Sequence, residues 1–293
     1  MGLQHSPSGD QYVITHGDSR AVITRVGATL RSYTVAGHDV IDGFDLDERA
    51  TDGRGQVLAP WPNRLTDGRY QYGGRDCQAP LNEVERHDAI HGLVRWLDWT
   101  LVDRAPALAA LACALRPQPG YEWRLDLQVV YALGDAGLTV TFQAVNLSRE
   151  SAPFGVGFHP YLTLGTPTID GLDLMIPGAV ASGSHDFQEP HGIGSIELDH
   201  AFGDLAVGPD GRSVARLTDQ AHERSVELWV DQAYRYLMVY TGDLVAEPTR
   251  RRTAVAIEPM TCPPDAFRTG EDLIELEPGK AWQGSWGIRS VQA

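Results

Sequence analysis

Apolar and polar positions alternate with a period of two residues along most of the chain, without a long run of apolar residues at i, i+3, i+4 and i+7. The clearest runs are 123–133 and 138–144, where every second residue is apolar. The intervening Gly134-Asp135-Ala136-Gly137 is typical of a turn. The two runs therefore predict a hairpin of two long strands.

The same alternation predicts further strands over residues 12–15, 21–26, 30–35, 226–230, 236–240, 254–257 and 286–291. The first two flank His16-Gly17-Asp18-Ser19, which has the composition of a turn. We therefore predict an all-β protein. Proline and glycine are scattered, and neither an internal repeat nor a shift in composition marks a boundary, so we predict one domain over residues 1–293.

The composition and the first residues of the chain bear on the cellular compartment of the protein. Hydrophobic residues make up 42% of the chain and charged residues 22%, as in globular proteins, and no apolar run reaches the roughly 18 residues of a membrane span. The first ten residues lack the basic start and apolar stretch of a secretory signal, which favours a cytoplasmic protein without a membrane partner. Cys77, Cys113 and Cys262 are odd in number and widely spaced, so they indicate neither a disulfide framework nor a cysteine zinc site.

The charge of the chain argues against nucleic acid as a partner. A formal net charge of −15 repels phosphate backbones, and no basic stripe offsets it. The only basic run, Arg250-Arg251-Arg252, is expected to be a solvated loop.

Four short segments place polar side chains beside proline or glycine: Pro60-Trp61-Pro62-Asn63-Arg64, Ile90-His91-Gly92-Leu93, Gly157-Phe158-His159-Pro160-Tyr161 and Glu258-Pro259-Met260-Thr261-Cys262-Pro263-Pro264. Proline after His159 and after Glu258 restricts both to extended backbone, which limits where each side chain points. A histidine titrating near 6.5 and a carboxylate are a natural pair for acid–base catalysis at neutral pH. Ten histidines and 39 acidic residues make such pairs common by chance, so pairing alone is not specific.

The four segments, in this order and spacing, resemble those of the aldose 1-epimerases, the galactose mutarotase family, over nearly the whole chain. The resemblance implies a large antiparallel β-supersandwich with its pocket on a concave sheet face. It also implies a small-molecule sugar as substrate, no cofactor or metal, and a monomer or homodimer. The expected activity is interconversion of the α and β anomers of a free hexose.

The resemblance also assigns roles to residues. Asn63-Arg64, followed by Gly68-Arg69-Tyr70, is similar to a signature whose arginine contacts sugar hydroxyls, and His91-Gly92 to one whose histidine binds the sugar. His159-Pro160-Tyr161 resembles the motif of the general acid, Leu198-Asp199-His200-Ala201-Phe202 that of a hydroxyl-binding aspartate, and Glu258-Pro259 that of the general base. The implied catalytic residues are Glu258 and His159, and the implied substrate-binding residues are Arg64, His91, Asp199, Asn63 and Tyr161.

In the expected reaction, Glu258 removes the proton of the C1 hydroxyl while protonated His159 donates a proton to the ring oxygen, and closure reverses both steps. Nearby carboxylates are expected to favour the charged imidazolium of His159, which predicts a bell-shaped pH profile. Trp61, Phe158, Tyr161 and Trp229 could offer stacking faces to a sugar ring.

One position departs from the family pattern. Two residues before Tyr240-Thr241-Gly242, where members of the family often have glutamine, this chain has Met238. A contact to a sugar hydroxyl is therefore expected to be missing, and the preferred aldose stays open.

Functional hypotheses outside this family rest on shorter fragments of sequence. His87-Asp88-Ala89-Ile90-His91 resembles a shortened zinc-hydrolase motif, but no amphipathic helix surrounds it. The chain has no Gly-x-Ser-x-Gly of a serine hydrolase, and Gly155-Val156-Gly157 lacks the third glycine of a dinucleotide site.

Two alternatives remain within the resemblance. A hexose-6-phosphate 1-epimerase would need extra cationic groups at the pocket, and the only obvious cluster in the sequence is Arg250 to Arg252. A non-catalytic sugar-binding or sugar-sensing module could keep the pocket without the chemistry, although it would have little reason to keep both His159 and Glu258.

Overall fold

The computed structural model of the protein describes residues 6–180 and 186–292. The first strands along the chain are β1 (Gln11–His16), β2 (Ser19–Thr24), β3 (Leu30–Val35), β4 (His38–Asp39), β5 (Val57–Leu58), β6 (Arg64–Thr66), β7 (Arg69–Tyr72), β8 (Arg75–Gln78) and β9 (Asp88–Ile90). They are followed by β10 (Thr100–Ala105), β11 (Leu108–Leu115), β12 (Leu125–Gly134), β13 (Gly137–Asn146), β14 (Ala152–Phe154), β15 (Gly157–Phe158), β16 (Tyr161–Leu162), β17 (Asp173–Met175) and β18 (Ala179–Val180). The last are β19 (His191–Gly192), β20 (Asp199–Gly203), β21 (Arg212–Asp219), β22 (Arg224–Asp231), β23 (Tyr236–Tyr240), β24 (Val255–Met260), β25 (Ile274–Leu276) and β26 (Ala281–Gln292).

Helical structure in the described residues is limited to short turns. One four-residue α-helix, α1, covers Ala266–Thr269, and 3-10 helices cover Val84–Arg86, Gln220–His222 and Pro248–Arg250. None of these helices is long and apolar enough to cross a membrane.

Two large antiparallel sheets organise the fold. The nine-stranded sheet has the order β10-β11-β12-β13-β26-β22-β21-β17-β19, and the seven-stranded sheet has the order β18-β20-β23-β24-β15-β5, with β16 also paired to β24. A four-stranded sheet of β1 to β4 and the pairs β14-β25, β6-β9 and β7-β8 complete the topology. The prediction of an all-β, antiparallel fold is confirmed.

The predicted long hairpin is confirmed as β12 and β13, which pair in register from Leu125 with Asn146 to Gly134 with Gly137. Trp123 lies before the first strand instead of in it. The other predicted strands are also present as parts of β1, β2, β3, β22, β23, β24 and β26, although β2 already ends at Thr24. Most strands that the alternation missed have two to four residues, which is too short for a two-residue period to be seen.

The core lies between the faces of the two large sheets. Phe158 of the seven-stranded sheet contacts Phe142 of β13 with ring centroids 5.9 Å apart and Trp286 of β26 with centroids 5.1 Å apart. All three side chains are at most 1% exposed. Because successive side chains of a strand point to opposite faces, burial of one residue in this core turns its neighbour to the outer face.

Candidate active site

A pocket of about 370 Å³ lies over the seven-stranded sheet. All seven residues to which the family resemblance assigned catalytic or binding roles line it: Asn63, Arg64, His91, His159, Tyr161, Asp199 and Glu258. They come from β6, β16, β20 and β24 and from the loops before β6, after β9 and after β15, so residues up to 195 positions apart in the chain share one site. Their roles stay predictions.

Strand alternation places the central pair. Phe158 and Ile257 point into the core, so the following residues, His159 and Glu258, point to the pocket. His159 is 5% exposed and Glu258 is 2% exposed. The His159 Nε2 atom lies 3.3 Å from the Glu258 Oε1 atom. The two groups are therefore close enough to exchange a proton directly or through a bound hydroxyl.

Gly53 makes room for the His159 ring. A Cβ atom at position 53 would lie 2.4 Å from the His159 Cδ2 atom, and Gly53 has a φ of +75°, which side chains rarely adopt. The Gly55 N–H donates to the His159 carbonyl oxygen, and the His159 N–H donates to that of Gln56. The loop around Gly53 therefore holds the backbone of His159 as well as one side of its ring.

Burial opposes the charged forms of both groups. It raises the pKa of Glu258 well above its usual value, an effect that Asp199 increases and Arg64 reduces. Burial, followed by the positive charge of Arg54, lowers the pKa of His159 to about 3. The expectation that nearby carboxylates favour a charged imidazolium is therefore wrong, because burial favours a neutral His159 beside a protonated Glu258.

His91 is fixed by Asn63. The Asn63 N–H donates to the His91 Nδ1 atom over 3.1 Å, and the His91 N–H donates to the Asn63 carbonyl oxygen over 2.9 Å. Burial, with the charges of His159, Arg95 and Arg64, lowers the pKa of His91 well below its usual value. A neutral ring that accepts at Nδ1 carries its proton on Nε2, so His91 can donate a hydrogen bond at Nε2. Asn63 acts mainly on the backbone, because its Oδ1 atom accepts from the Arg64 N–H.

Arg64 is held by two carboxylates. Its Nε and Nη2 atoms donate to the two oxygens of Glu83 over 2.8 Å and 3.1 Å, and its Nη1 atom lies 3.6 Å from Asp199 Oδ2. Burial lowers the pKa of Arg64, but the hydrogen bonds that Arg64 donates to Glu83 and the charges of the nearby carboxylates raise it by more, so the net shift is upward. The guanidinium stays charged and oriented at the pocket edge.

Tyr161 lines the pocket beside His159 and Glu258. Its ring stacks on the His159 ring with centroids 4.9 Å apart and an interplanar angle of 21°, and its hydroxyl donates to the Asp52 carbonyl oxygen. The other aromatic candidates, Trp61, Phe158 and Trp229, are buried and do not line the pocket. Core packing explains this, since Trp61 contacts Phe267, Phe158 contacts Phe142 and Trp229 contacts Arg212.

Met238 lies directly opposite Glu258 in the pairing of β23 with β24. Directly paired residues share a sheet face, so the apolar thioether lies beside the carboxyl group. The Glu258 Oε2 atom is buried without a hydrogen-bond partner in the described residues. The departure from the family's glutamine therefore lies beside the predicted base, where an amide could have donated a hydrogen bond.

Sequence reasoning missed five polar or aromatic pocket residues: Asp52, Glu83, Arg86, Arg95 and Tyr240. Arg95 and Tyr240 adjoin quoted segments, so their place in the chain was a usable signal. Glu83 and Arg86 had none, because the turn around Val84–Arg86 reaches the pocket only through the pairing of β6 with β9.

The proposed zinc motif is not assembled. His87 follows a 3-10 helix, is 71% exposed at its side chain and bonds to Asp67, while Asp88–Ile90 is a strand and His91 is buried. In the described residues, His91, His159 and Glu258 are the group whose ligand atoms, all within 4.8 Å of one another, could hold a metal ion. Such an ion would occupy the atoms that would otherwise transfer protons.

The basic run is also different from the expectation of a solvated loop. Arg250 bonds to Asp42, and Arg252 bonds to Asp170 and Asp243. None of the three arginines lines the pocket. They stabilise loops and do not supply the extra cationic groups that a phosphorylated substrate would need.

Comparison with known proteins shows which sequences this chain resembles. A profile of the aldose 1-epimerase family matches residues 10–289. The protein named YihR of Escherichia coli K12, described as uncharacterized, is 34% identical, and the match covers 93% of this chain and 91% of YihR.

Solved structures share the fold at low identity. A GalM/aldose epimerase homologue from Caenorhabditis elegans superposes with a TM-score of 0.85 at 17% identity, over 97% of this chain and 99% of that one. A putative aldose 1-epimerase from Escherichia coli K12 superposes with a TM-score of 0.82 at 20% identity, over 97% of this chain and 99% of that one. The fold is therefore the galactose mutarotase-like β-supersandwich that the sequence predicted.

Because the buried Glu258 carboxyl lacks a compensating partner, we expect its substitution to change the stability of the folded protein. In the unfolded chain the carboxyl ionises near its usual pKa, whereas in the folded protein its pKa is raised, so folding at pH 8 opposes ionisation. We expect Glu258→Gln to raise the melting temperature at about pH 8, and the gain to disappear near about pH 4, where the unfolded chain also keeps its proton.

Glu227 is the matched control. It is also 1% exposed, but Arg216 and Arg289 donate hydrogen bonds to it. We expect Glu227→Gln to lower the free energy of unfolding by about 1–3 kcal/mol, because charge-assisted hydrogen bonds are lost. Thermal unfolding of the three proteins at both pH values checks this, and a destabilised Glu258→Gln at pH 8 would contradict the account of the site.

Proposed function

Because the chain belongs to the aldose 1-epimerase family, we propose that it interconverts the α and β anomers of a free hexose by acid–base ring opening and closure. The observation that carries the proposal is the 3.3 Å approach of His159 Nε2 to Glu258 Oε1 in a pocket open to a small molecule. One proton donor and one acceptor at this separation can serve the ring oxygen and the C1 hydroxyl of the same sugar.

The reaction moves one proton around the pair. With a cyclic sugar bound, Glu258 accepts the C1 hydroxyl proton while protonated His159 donates to the ring oxygen, and the C1–O5 bond breaks. The open aldehyde then faces a protonated Glu258 and a neutral His159. Rotation about C1–C2 presents the other carbonyl face, and the two transfers reverse to close the second anomer.

Burial supports the ring-opened side of this cycle. The neutral arrangement of Glu258 and His159, which the buried site favours, is the one that accompanies the open aldehyde. The charged arrangement needed for the cyclic sugar gains hydrogen bonds from the C1 hydroxyl and the ring oxygen. The site therefore lowers the free energy of the ring-opened state, which is scarce in water, relative to that of the cyclic state.

The remaining sugar hydroxyls have suitable partners. Arg64 donates, Asp199 accepts with a side chain that is 41% exposed, and His91 donates at Nε2. Hydroxyls are both donors and acceptors, so such a mixed set fits a neutral sugar.

A second candidate, an aldose with an anionic group such as a 6-phosphate, is favoured by Arg95. This arginine lines the pocket, its Nε atom has no hydrogen-bond partner in the described residues, and its other nitrogens donate only to Gln56 and Ile90 over 3.3 Å or more. Burial, opposed only by Glu83, lowers the pKa of Arg95 to about 10. A half-buried guanidinium without a carboxylate at bonding distance would gain an ionic partner from such a substrate.

The main prediction concerns the pair itself. We expect the wild type to accelerate equilibration of fresh α-D-glucose or α-D-galactose, and Glu258→Gln and His159→Asn each to lower kcat by about 10²–10⁴ while staying folded. Polarimetry or NMR measures the rate. Glu275→Gln and His38→Asn, at exposed positions, are the matched controls and should keep wild-type rates. If no aldose responds but a sugar still binds in calorimetry, the chain is a sugar-binding module.

The pH profile follows from the single shared proton. Activity needs a single titrating proton shared between His159 and Glu258. It falls in acid when His159 is protonated while Glu258 keeps its proton, and it falls in alkali when Glu258 loses the single proton. Because the pKa of His159 is lowered and that of Glu258 is raised, we expect a broad plateau with its acid limb below about 6.5 and its alkaline limb well above about 4.3. The profile of kcat/KM, which reports the sugar-free protein, is the measurement, and an acid limb above about 6.5 after subtraction of the spontaneous rate would contradict this.

Arg95 decides between the two substrates. If the second candidate is correct, kcat/KM is higher for glucose 6-phosphate or glucuronate than for glucose, and Arg95→Gln lowers the anion-to-neutral ratio about tenfold or more. Arg95→Lys should keep part of the preference, since it retains a charge. A wild type that prefers glucose, with a ratio that Arg95→Gln leaves unchanged, would reject an anionic substrate.

A further inference from the structure

A buried arginine lies behind the pocket wall without reaching the pocket. Arg54 is 1% exposed, and its Nε and Nη2 atoms donate to Asp42 Oδ2 over 3.2 Å and 2.9 Å. Its Nη1 atom lies 3.6 Å from Asp52 Oδ2. A fully buried guanidinium is costly to place in a fold unless it is paired, and Asp42 and Asp52 pair it here.

The guanidinium reaches the catalytic histidine through Tyr161. The Arg54 Cζ atom lies 4.5 Å from the centroid of the Tyr161 ring, a cation–π contact, and the same ring stacks on His159 at 4.9 Å. The stacked imidazole takes one face of the tyrosine, which leaves the other face for the guanidinium. The Tyr161 carbonyl accepts from the Asp42 N–H, so the carboxylate that orients Arg54 is tied to the same strand.

The stack has little freedom to move. Gly53 and the backbone of residues 55 and 56 hold one side of His159, and the Tyr161 hydroxyl is bonded to the Asp52 carbonyl. The Nδ1 atom of His159 has no hydrogen-bond partner in the described residues. Without a hydrogen bond from another residue at Nδ1, the ring is oriented by Glu258 at Nε2 and by packing between Gly53 and Tyr161.

From these contacts, and resting on the proposed epimerase function, we propose that Arg54 is a positioning residue. Its planar guanidinium holds the Tyr161 ring against His159, and so fixes the imidazole orientation and places a constant positive charge beside it. Arg54 does not touch the substrate. It acts through another residue, and its contribution is to the rate of proton transfer and not to sugar affinity.

The positive charge of Arg54 acts on His159, which several other titratable groups surround. The titratable and charged groups that face or neighbour His159 are Glu258, His91, Tyr161, Asp52, Arg54 and Arg95. After burial, Arg54 makes the largest contribution to lowering the pKa of His159, ahead of Arg95. Removal of Arg54 should therefore make a second protonation of the pair easier in acid.

The test compares Arg54→Met, Arg54→Lys and the control Arg250→Met. Arg250 bonds to the other oxygen of Asp42 but makes no contact with Tyr161, so its loss weakens the same ion-pair cluster without disturbing the stack. We expect both Arg54 variants to lower kcat about tenfold to 10²-fold with KM within about twofold, because a small misplacement of a proton donor costs rate. Arg250→Met should keep wild-type kcat.

The two Arg54 variants separate shape from charge. Arg54→Met should move the acid limb of kcat, and the NMR titration of the His159 ring protons in the sugar-free protein, to higher pH. Arg54→Lys should leave both near their wild-type positions, because it keeps the charge. Nuclear Overhauser contacts between the Tyr161 and His159 rings should weaken in both variants.

Each outcome decides the proposal. A wild-type kcat in Arg54→Lys overturns the positioning role, whether or not Arg54→Met folds. Equal losses of kcat in Arg54→Met and Arg250→Met, or a change confined to KM, also overturn it. An inactive wild type rejects the proposed function instead, and the ring contacts and titration in the sugar-free protein still show whether Arg54 holds and biases His159.

Discussion

The packing of Phe158 against Phe142 and Trp286 is the constraint on which the site depends. These contacts join the seven-stranded sheet to the nine-stranded sheet and bury all three rings. Once Phe158 and Ile257 are committed to the core, strand geometry leaves His159 and Glu258 no direction but the pocket. The hydrophobic contacts that stabilise the sandwich therefore also orient His159 and Glu258 toward the pocket.

The same burial that aims the pair makes it unfavourable in its charged form. Glu258 has a buried oxygen without a partner, and His159 has a buried nitrogen without one, within the parts of the chain that the structure describes. Elsewhere the fold satisfies such groups, as Arg216 and Arg289 do for Glu227. Unsatisfied polar atoms at a pocket are typical of functional sites, where a ligand supplies the missing hydrogen bonds.

Charge in the pocket is arranged unevenly, and this bears on substrate choice. Arg64 is neutralised by Glu83 and lies near Asp199, so it is a fixed donor for hydroxyls. Arg95 has no carboxylate at bonding distance among the described residues, although it lies in the same wall. A family assignment fixes the reaction type more firmly than the sugar, because discrimination among sugars depends on such individual contacts.

The sequence by itself determined the class of fold and the principal polar residues of the pocket. Alternation is local, so it identified β12, β13 and several other strands. The resemblance of the proline- and glycine-flanked segments to those of the aldose 1-epimerases pointed to His159 and Glu258. The sequence did not identify Glu83 as the partner of Arg64, and it missed the burial and the positive charge of Arg54 that lower the pKa of His159. Ion pairing and burial depend on which distant segments meet: the pairing of β6 with β9 brings Glu83 to Arg64, and residues 42, 54 and 161 bring a positive charge behind His159. Only the tertiary structure decided those meetings, because desolvation and Coulomb interactions depend on distance in space and not on separation along the chain.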